Sequence, residues 1–251
     1  MKLLNDVSTV FVRELRPTLR DPIGPIITMA QPLVFLVMFG PLLSGMPGAG
    51  GATPWQWFVP GILVMMALVA TGMTGYNLLL EMQTGSHERM MVTPLGRSSM
   101  LVGRALKEMA PISAQALLIV LAVLPFGFRP HPLGALAGLV LLAAFGVGIG
   151  ALSYALAIAA RKQEWIFYTV QQTLLFPLLI LSGTMLPLDS GPAWMRILYH
   201  LNPLTYVVEA ERALFAGDLL HPSVPAGTLA TAAVVSVGLF VGTRAMRRSA
   251  D

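Results

Sequence analysis

From Pro22 to Leu80 the chain carries no Asp, Glu, Lys or Arg, and four further uncharged runs follow: Met109–Phe128, Pro130–Ala160, Trp165–Leu188 and Leu219–Thr243. A hydrocarbon core about 30 Å thick is crossed by a helix of about 20 apolar residues, and each run is long enough for at least one crossing. Ser44–Pro54 is dense in Gly and Pro and reads as a loop, so the first run holds two spans. The expected spans are therefore Ile26–Leu43, Phe58–Leu80, Met109–Phe128, Leu133–Ala159, Trp165–Leu186 and Ala226–Thr243. Charged residues make up only 11% of the chain. A soluble domain has about 25%, so an ordinary soluble enzyme and a disordered chain are both excluded. The absence of cysteine removes disulfides and thiolate metal centres. His87, His131, His200 and His221 are scattered, so no metal site is expected.

The basic residues orient the spans. With the N-terminus inside, Lys2, Arg13, Arg16, Arg20, Arg89, Arg97, Arg104, Lys107, Arg161, Lys162, Arg244, Arg247 and Arg248 all fall on the inner side. Only Arg129, Arg196 and Arg212 fall outside, a strong positive-inside bias. The expectation is a multi-pass protein of the cytoplasmic membrane with both termini in the cytoplasm. The basic pI then reports orientation and not a nucleic-acid partner. Residues 1–21 lack the uninterrupted apolar core of a signal peptide. Leu4, Val7, Val10, Phe11 and Leu15 recur at helical spacing, so this segment is expected to lie on the inner leaflet as an amphipathic helix.

The spans carry no mid-depth ionisable residue, which argues against a proton- or sodium-coupled carrier. The chain has no GxxxxGK[ST] phosphate loop and no GxSxG elbow. Work for uphill movement must therefore enter from another polypeptide. Uncharged polar residues do interrupt the apolar runs. Asn77, Gln171, Gln172, Thr173 and Thr184 are candidates to line a translocation pathway, with interhelical hydrogen bonding as the alternative role. Gly134/Gly138, Gly146/Gly150 and Gly238/Gly242 stand at the spacing that lets helix backbones approach closely in lipid.

Two loops carry a resemblance. The segment between the second and third spans contains Gly85, Ser86, His87, Glu88 and Arg89, then Thr93 and Pro94. Near the C-terminus, Ser182-Gly183 with Pro187 is followed by Asn202, Pro203, Tyr206, Glu209 and Arg212 in an Asn-Pro-x-x-Tyr-x-x-Glu-x-x-Arg block. Their order on a six-span frame resembles the ABC-2 type permeases, the membrane subunits of a class of ATP-binding cassette exporters, and looks closest to the daunorubicin-resistance branch.

The resemblance implies an all-α integral membrane fold, one domain over 1–251. It comprises an interfacial helix (1–21), the first two spans (22–80), a coupling loop (81–107) and three spans (108–187). An outer re-entrant helical hairpin (188–220) and the last span with a cytoplasmic tail (221–251) complete it. It implies that Gly85, Ser86, His87, Glu88, Arg89, Thr93 and Pro94 form a coupling helix seated on a nucleotide-binding ATPase subunit, present in two copies. ATP and magnesium would be bound by that subunit and no cofactor by this chain. A second permease subunit, identical or related, would complete the route. Asn202, Pro203, Tyr206, Glu209 and Arg212 would form an outer gate, with Glu209 and Arg212 paired across one helix turn. The expected function is export of a hydrophobic or amphipathic molecule such as a drug or lipid. Export of a polysaccharide, a lipid-linked glycan or an ion is the alternative within transport. A lipid-handling membrane enzyme and a non-transporting sensor are the alternatives outside it.

Overall fold

A computed structural model of the chain describes residues 2–20, 23–43, 54–84, 97–184 and 192–248. Among these residues every long element is a helix: α1 (Lys2–Arg20), α2 (Ile23–Leu43), α3 (Pro54–Gly72), α4 (Thr74–Gln83), α5 (Arg97–Lys107), α6 (Met109–Val123), α7 (Pro132–Ala159), α8 (Glu164–Ile180), α9 (Ala193–Leu201), α10 (Pro203–Ala216) and α11 (Ser223–Arg248). Helices are what apolar segments must form in lipid, because each one satisfies its own backbone polar groups. Four stretches, each one helix or helices that abut, have the length and apolarity to cross a membrane: Pro54–Gln83, Ser99–Phe126, Pro132–Ala159 and Ser223–Arg248. α2 holds a shorter apolar stretch, Met29–Gly40, and α8 has 17 residues.

α7 is the hub, packing against α3, α4, α5, α6, α8, α10 and α11. Its glycines explain the close packing. Gly148 faces the α11 backbone at Val234 and Val235, and Gly238 of α11 lies on the Gly148 carbonyl. Gly134 lies on the Leu214 carbonyl of α10. The small-residue pairs thus serve contacts within this one bundle. One apolar cluster gathers Phe58, Leu63, Ile112, Phe145, Val207 and Phe215, and a second gathers Leu78, Leu101, Tyr154, Phe167 and Met246. α1 buries Val7 and Val10, and Val10 lies over Gly103 of α5. The amphipathic N-terminal helix therefore uses at least part of its apolar face on protein.

Two departures from the expected spans have local causes. The second span is not one helix, because it breaks at Met73 between α3 and α4. Ser153 of α7 repairs the break. Its hydroxyl donates to the Gly72 carbonyl and accepts the Gly75 N–H at 2.9 Å. Gly75 sits so close to the Ser153 carbonyl that a Cβ would not fit. Ser153→Ala leaves two backbone groups unpaired in the bundle and is expected to cost about 1–3 kcal/mol in detergent unfolding. An unchanged midpoint would show that the kink holds itself.

The fifth apolar run is the second departure. α8 ends at Ile180, short of Leu186. Gly183 adopts φ 69°, and the hydroxyls of Ser182 and Thr184 both donate to the Leu179 carbonyl, at 2.7 and 2.9 Å. These side-chain bonds compete with the helix ladder and stop it.

Candidate functional site

The α9–α10 hairpin is positioned from its turn outward. Asn202 accepts the Leu204 N–H at 3.0 Å and so caps α10, with Pro203 at the first helical position. Its amide also donates to the Leu178 carbonyl of α8 at 2.8 Å. The Tyr206 hydroxyl donates back to the His200 carbonyl at 2.7 Å, and the Tyr199 hydroxyl donates to Glu209. These bonds tie α9 to α10 and the turn to the end of α8.

Arg212 then joins three elements. Its Nε donates to the Trp57 carbonyl of α3 at 3.0 Å, and one Nη donates to the carbonyls of Gly183 (2.8 Å) and Thr184 (3.4 Å). The guanidinium lies 4.0 Å from the Trp57 ring centroid, a cation–π contact strengthened by desolvation. Gly61 of α3 makes room for this seam, since a Cβ there would meet the Thr184 carbonyl at 2.6 Å. Burial pulls the Arg212 pKa down to about 10, which still leaves it charged at neutral pH. The expected Glu209–Arg212 pair is not among the ion pairs of the described residues. Glu209 takes the Tyr199 hydroxyl and Arg212 takes carbonyls. A fork of N–H donors aimed at carbonyls is better placed facing the end of α8 than reaching back along its own helix.

The pathway candidates divide. Asn77, Gln172 and Thr173 are exposed on α4 and α8, as is Gln31 on α2. Gln171 is buried against Gly72 of α3, and its Oε1 has no hydrogen-bond partner. Thr184 is buried and engaged in the turn after α8. Rings of Tyr76 and Tyr168 meet at 5.4 Å and link the faces of α4 and α8. Gly85, Ser86, His87, Glu88, Arg89, Thr93 and Pro94 lie outside the described residues.

Two features went unread in the sequence. The first is an ionic cluster at the roots of the 85–96 segment. Arg104 of α5, only 2% exposed, pairs with Glu81 of α4 and lies 3.3 Å from Glu14 of α1. Beside it, Lys107 and Tyr154 both approach Glu108, at 3.6 and 3.3 Å. Counting Arg104 only as an inner positive charge hid its role as a tie between three helices.

The second is Glu211, fully buried against Gly138 and Phe215, with neither carboxylate oxygen hydrogen-bonded. The signal was present. Leu204, Val207, Val208, Glu211, Leu214 and Phe215 form one helical stripe, and all are buried. Burial pushes the Glu211 carboxyl well above its ordinary value of 4.5. The folded chain thus holds a proton that the unfolded chain releases. The contribution is full below the ordinary value and is lost as pH rises towards the folded one. Glu211→Leu should therefore stabilise the chain by about 1–3 kcal/mol near neutral pH and by less near pH 4.5. Thermal unfolding at both pH values checks this, and equal shifts would contradict it.

The family comparison follows from this frame. Residues 5–216 match the family model described as ABC-2 type transporter. The daunorubicin resistance ABC transporter permease protein DrrB1 of Streptomyces coeruleorubidus is 26% identical over 227 residues, covering 87% of this chain and 80% of that protein. The putative transport permease ycf38 of Cyanophora paradoxa is 31% identical over 202 residues, covering 78% and 69%. The probable multidrug ABC transporter permease YbhR of Escherichia coli K12 is 25% identical over 170 residues, covering 65% and 45%. With the match running from α1 through α10, this chain belongs to the ABC-2 type transporter family of membrane permeases.

Proposed function

We propose that the chain is the membrane half of an exporter that moves a hydrophobic or amphipathic molecule outward, powered by ATP hydrolysis on separate nucleotide-binding subunits. The observation that carries this reading is the exposure of Asn77, Gln172 and Thr173 among the apolar residues of α4 and α8. Lipid cannot satisfy amides and hydroxyls, so these groups belong against a partner or a passage. A second copy, or a related permease, set against this face encloses a route lined by α3, α4 and α8. That route is polar enough to be entered, and the described charges of its helices, Glu81 and Glu164, stand at the ends of α4 and α8 and not at mid-depth. The relatives named as drug permeases support an amphipathic cargo. Six spans with both termini in the cytoplasm place the 85–94 segment where a soluble ATPase reaches it, with Glu88 and Arg89 offering charge-assisted contacts.

The route from ATPase to membrane then runs through Arg104. It ties the helices on both sides of the 85–96 segment, α4 and α5, to the interfacial helix α1. A push on the segment moves these helices together as a rigid unit. At the other end Arg212 pins the hairpin to α3 and to the chain beyond α8, so motion of those elements is felt by the hairpin.

The test is co-purification in mild detergent with the candidate ATPase subunit. Glu88→Lys is expected to weaken the association about tenfold or more, the scale of losing one charge-assisted contact and gaining a repulsion. Unchanged association would remove the 85–94 segment from the contact.

A further inference from the structure

Between the first and third spans lies an apolar slot of about 540 Å³. Leu33 and Val37 of α2 form one wall, Ala122 and Val123 of α6 the other, and Trp55 and Phe126 close one end. Their rings meet at 5.8 Å. Gly40 also lines the slot and lets Trp55 lie on the α2 backbone, since a Cβ there would meet the indole at 2.9 Å. Among the described residues of the lining, the Trp55 indole N–H is the only polar side-chain group.

The lining residues come from the later part of α2, the start of α3, the end of α6 and the turn after it, so they stand at the far end of the bundle from the end of α4 and the start of α5. Val37 and Phe126 are 74% and 65% exposed, so the slot opens sideways and not into the bundle. Neither wall belongs to α4 or α8, which carry Asn77, Gln172 and Thr173.

We propose that this slot is a binding site for one acyl chain of a phospholipid from the outer leaflet. A cavity this apolar gives water no hydrogen-bond partners. Left empty, its lining forfeits packing contacts. Its volume lies in the ordinary range of ligand sites, about 300–1,000 Å³. At that depth in a bilayer the abundant apolar molecule is a lipid tail. Trp55 marks the outer end, where an indole sits at the headgroup level and its N–H faces the polar zone. The bound chain fills the gap between α2 and α6 and so supports the first span, whose helix neighbours here are α3 and α6. The inference rests on membrane crossing with both termini in the cytoplasm, as proposed above, and not on the identity of any exported cargo.

Trp55 reports the site directly. The full-length protein is placed in phosphatidylcholine vesicles containing a small fraction of lipid brominated at mid-chain. Comparison with Trp55→Phe isolates Trp55 fluorescence, and comparison with Trp165→Phe isolates Trp165, an exposed tryptophan away from the slot. Trp55 quenching is expected to be about threefold steeper than Trp165 quenching at low brominated fraction, the mark of preferential occupancy. Ala122→Phe, or Val37→Phe on the exposed side of the other wall, fills the slot and should bring the two slopes together. Equal slopes in the unsubstituted protein would reduce the slot to ordinary lipid contact and overturn the site. A Trp55 shielded from quenching would mean that protein covers the slot, and would also overturn it. Steep quenching that survives both substitutions would place the lipid elsewhere, with the same consequence.

Discussion

Arg104→Ala is expected to lower the stability of the chain by about 3–4 kcal/mol in detergent unfolding. The guanidinium is nearly inaccessible, and it neutralises Glu14 and Glu81, which are 13% and 31% exposed. Removing it leaves two carboxylates facing each other at the junction of α1, α4 and α5. The partial exposure of Glu81 keeps the loss below the upper end for a broken buried pair, because water screens the charge left behind. Arg104→Lys restores the charge but not the planar fork, so it should recover less than half of the loss. Full recovery by lysine would show that only the charge matters. On the exporter reading, Arg104→Ala also uncouples ATP hydrolysis from cargo movement, because the segment between α4 and α5 loses its fixed roots.

Arg212→Leu is the second large effect. It leaves the carbonyls of Trp57, Gly183 and Thr184 without the donor that the structure provides. It also removes the guanidinium from the Trp57 ring. The Trp57 carbonyl keeps its place in the α3 helix ladder, so the loss falls on the Gly183 and Thr184 carbonyls, about 1–3 kcal/mol each, and a total of about 2–4 kcal/mol is expected. The absence of cysteine offers a local readout. A cysteine introduced at Thr205, which is buried against the end of α8, should react slowly with a soluble thiol reagent in the parent chain. With Arg212→Leu the rate should rise by about tenfold or more as the seam opens. An unchanged labelling rate with lowered stability would mean that Arg212 supports the fold without holding the hairpin.

The apolar runs were legible because lipid leaves a chain few choices. α2, α6, α7 and α11 lie where uncharged length placed them, within a few residues. Residues 188–220 were expected as a hairpin from the resemblance alone, and the described part of that stretch forms α9 and α10, joined at Asn202. What escaped the sequence were relations between distant residues. The break at Met73 depends on a hydroxyl at Ser153, and nothing local to Met73 announces it. The end of α8 depends on Gly183 and two hydroxyls within a run that reads as uniformly apolar. Arg212 and Glu209 have the right spacing to pair, yet each finds a better partner on another element. Glu211 went unread for a different reason: the periodicity of its neighbours places it on the buried stripe of α10, and a carboxylate is not looked for there.

The most direct measurement is transport by the purified chain in sealed vesicles, with and without its ATPase subunit, using a fluorescent amphipathic cation as cargo. Concentrative movement that requires both proteins and hydrolysable ATP, and that is lost in Glu88→Lys, is the predicted result. Concentrative movement by this chain alone, driven by an imposed proton or sodium gradient, would contradict it.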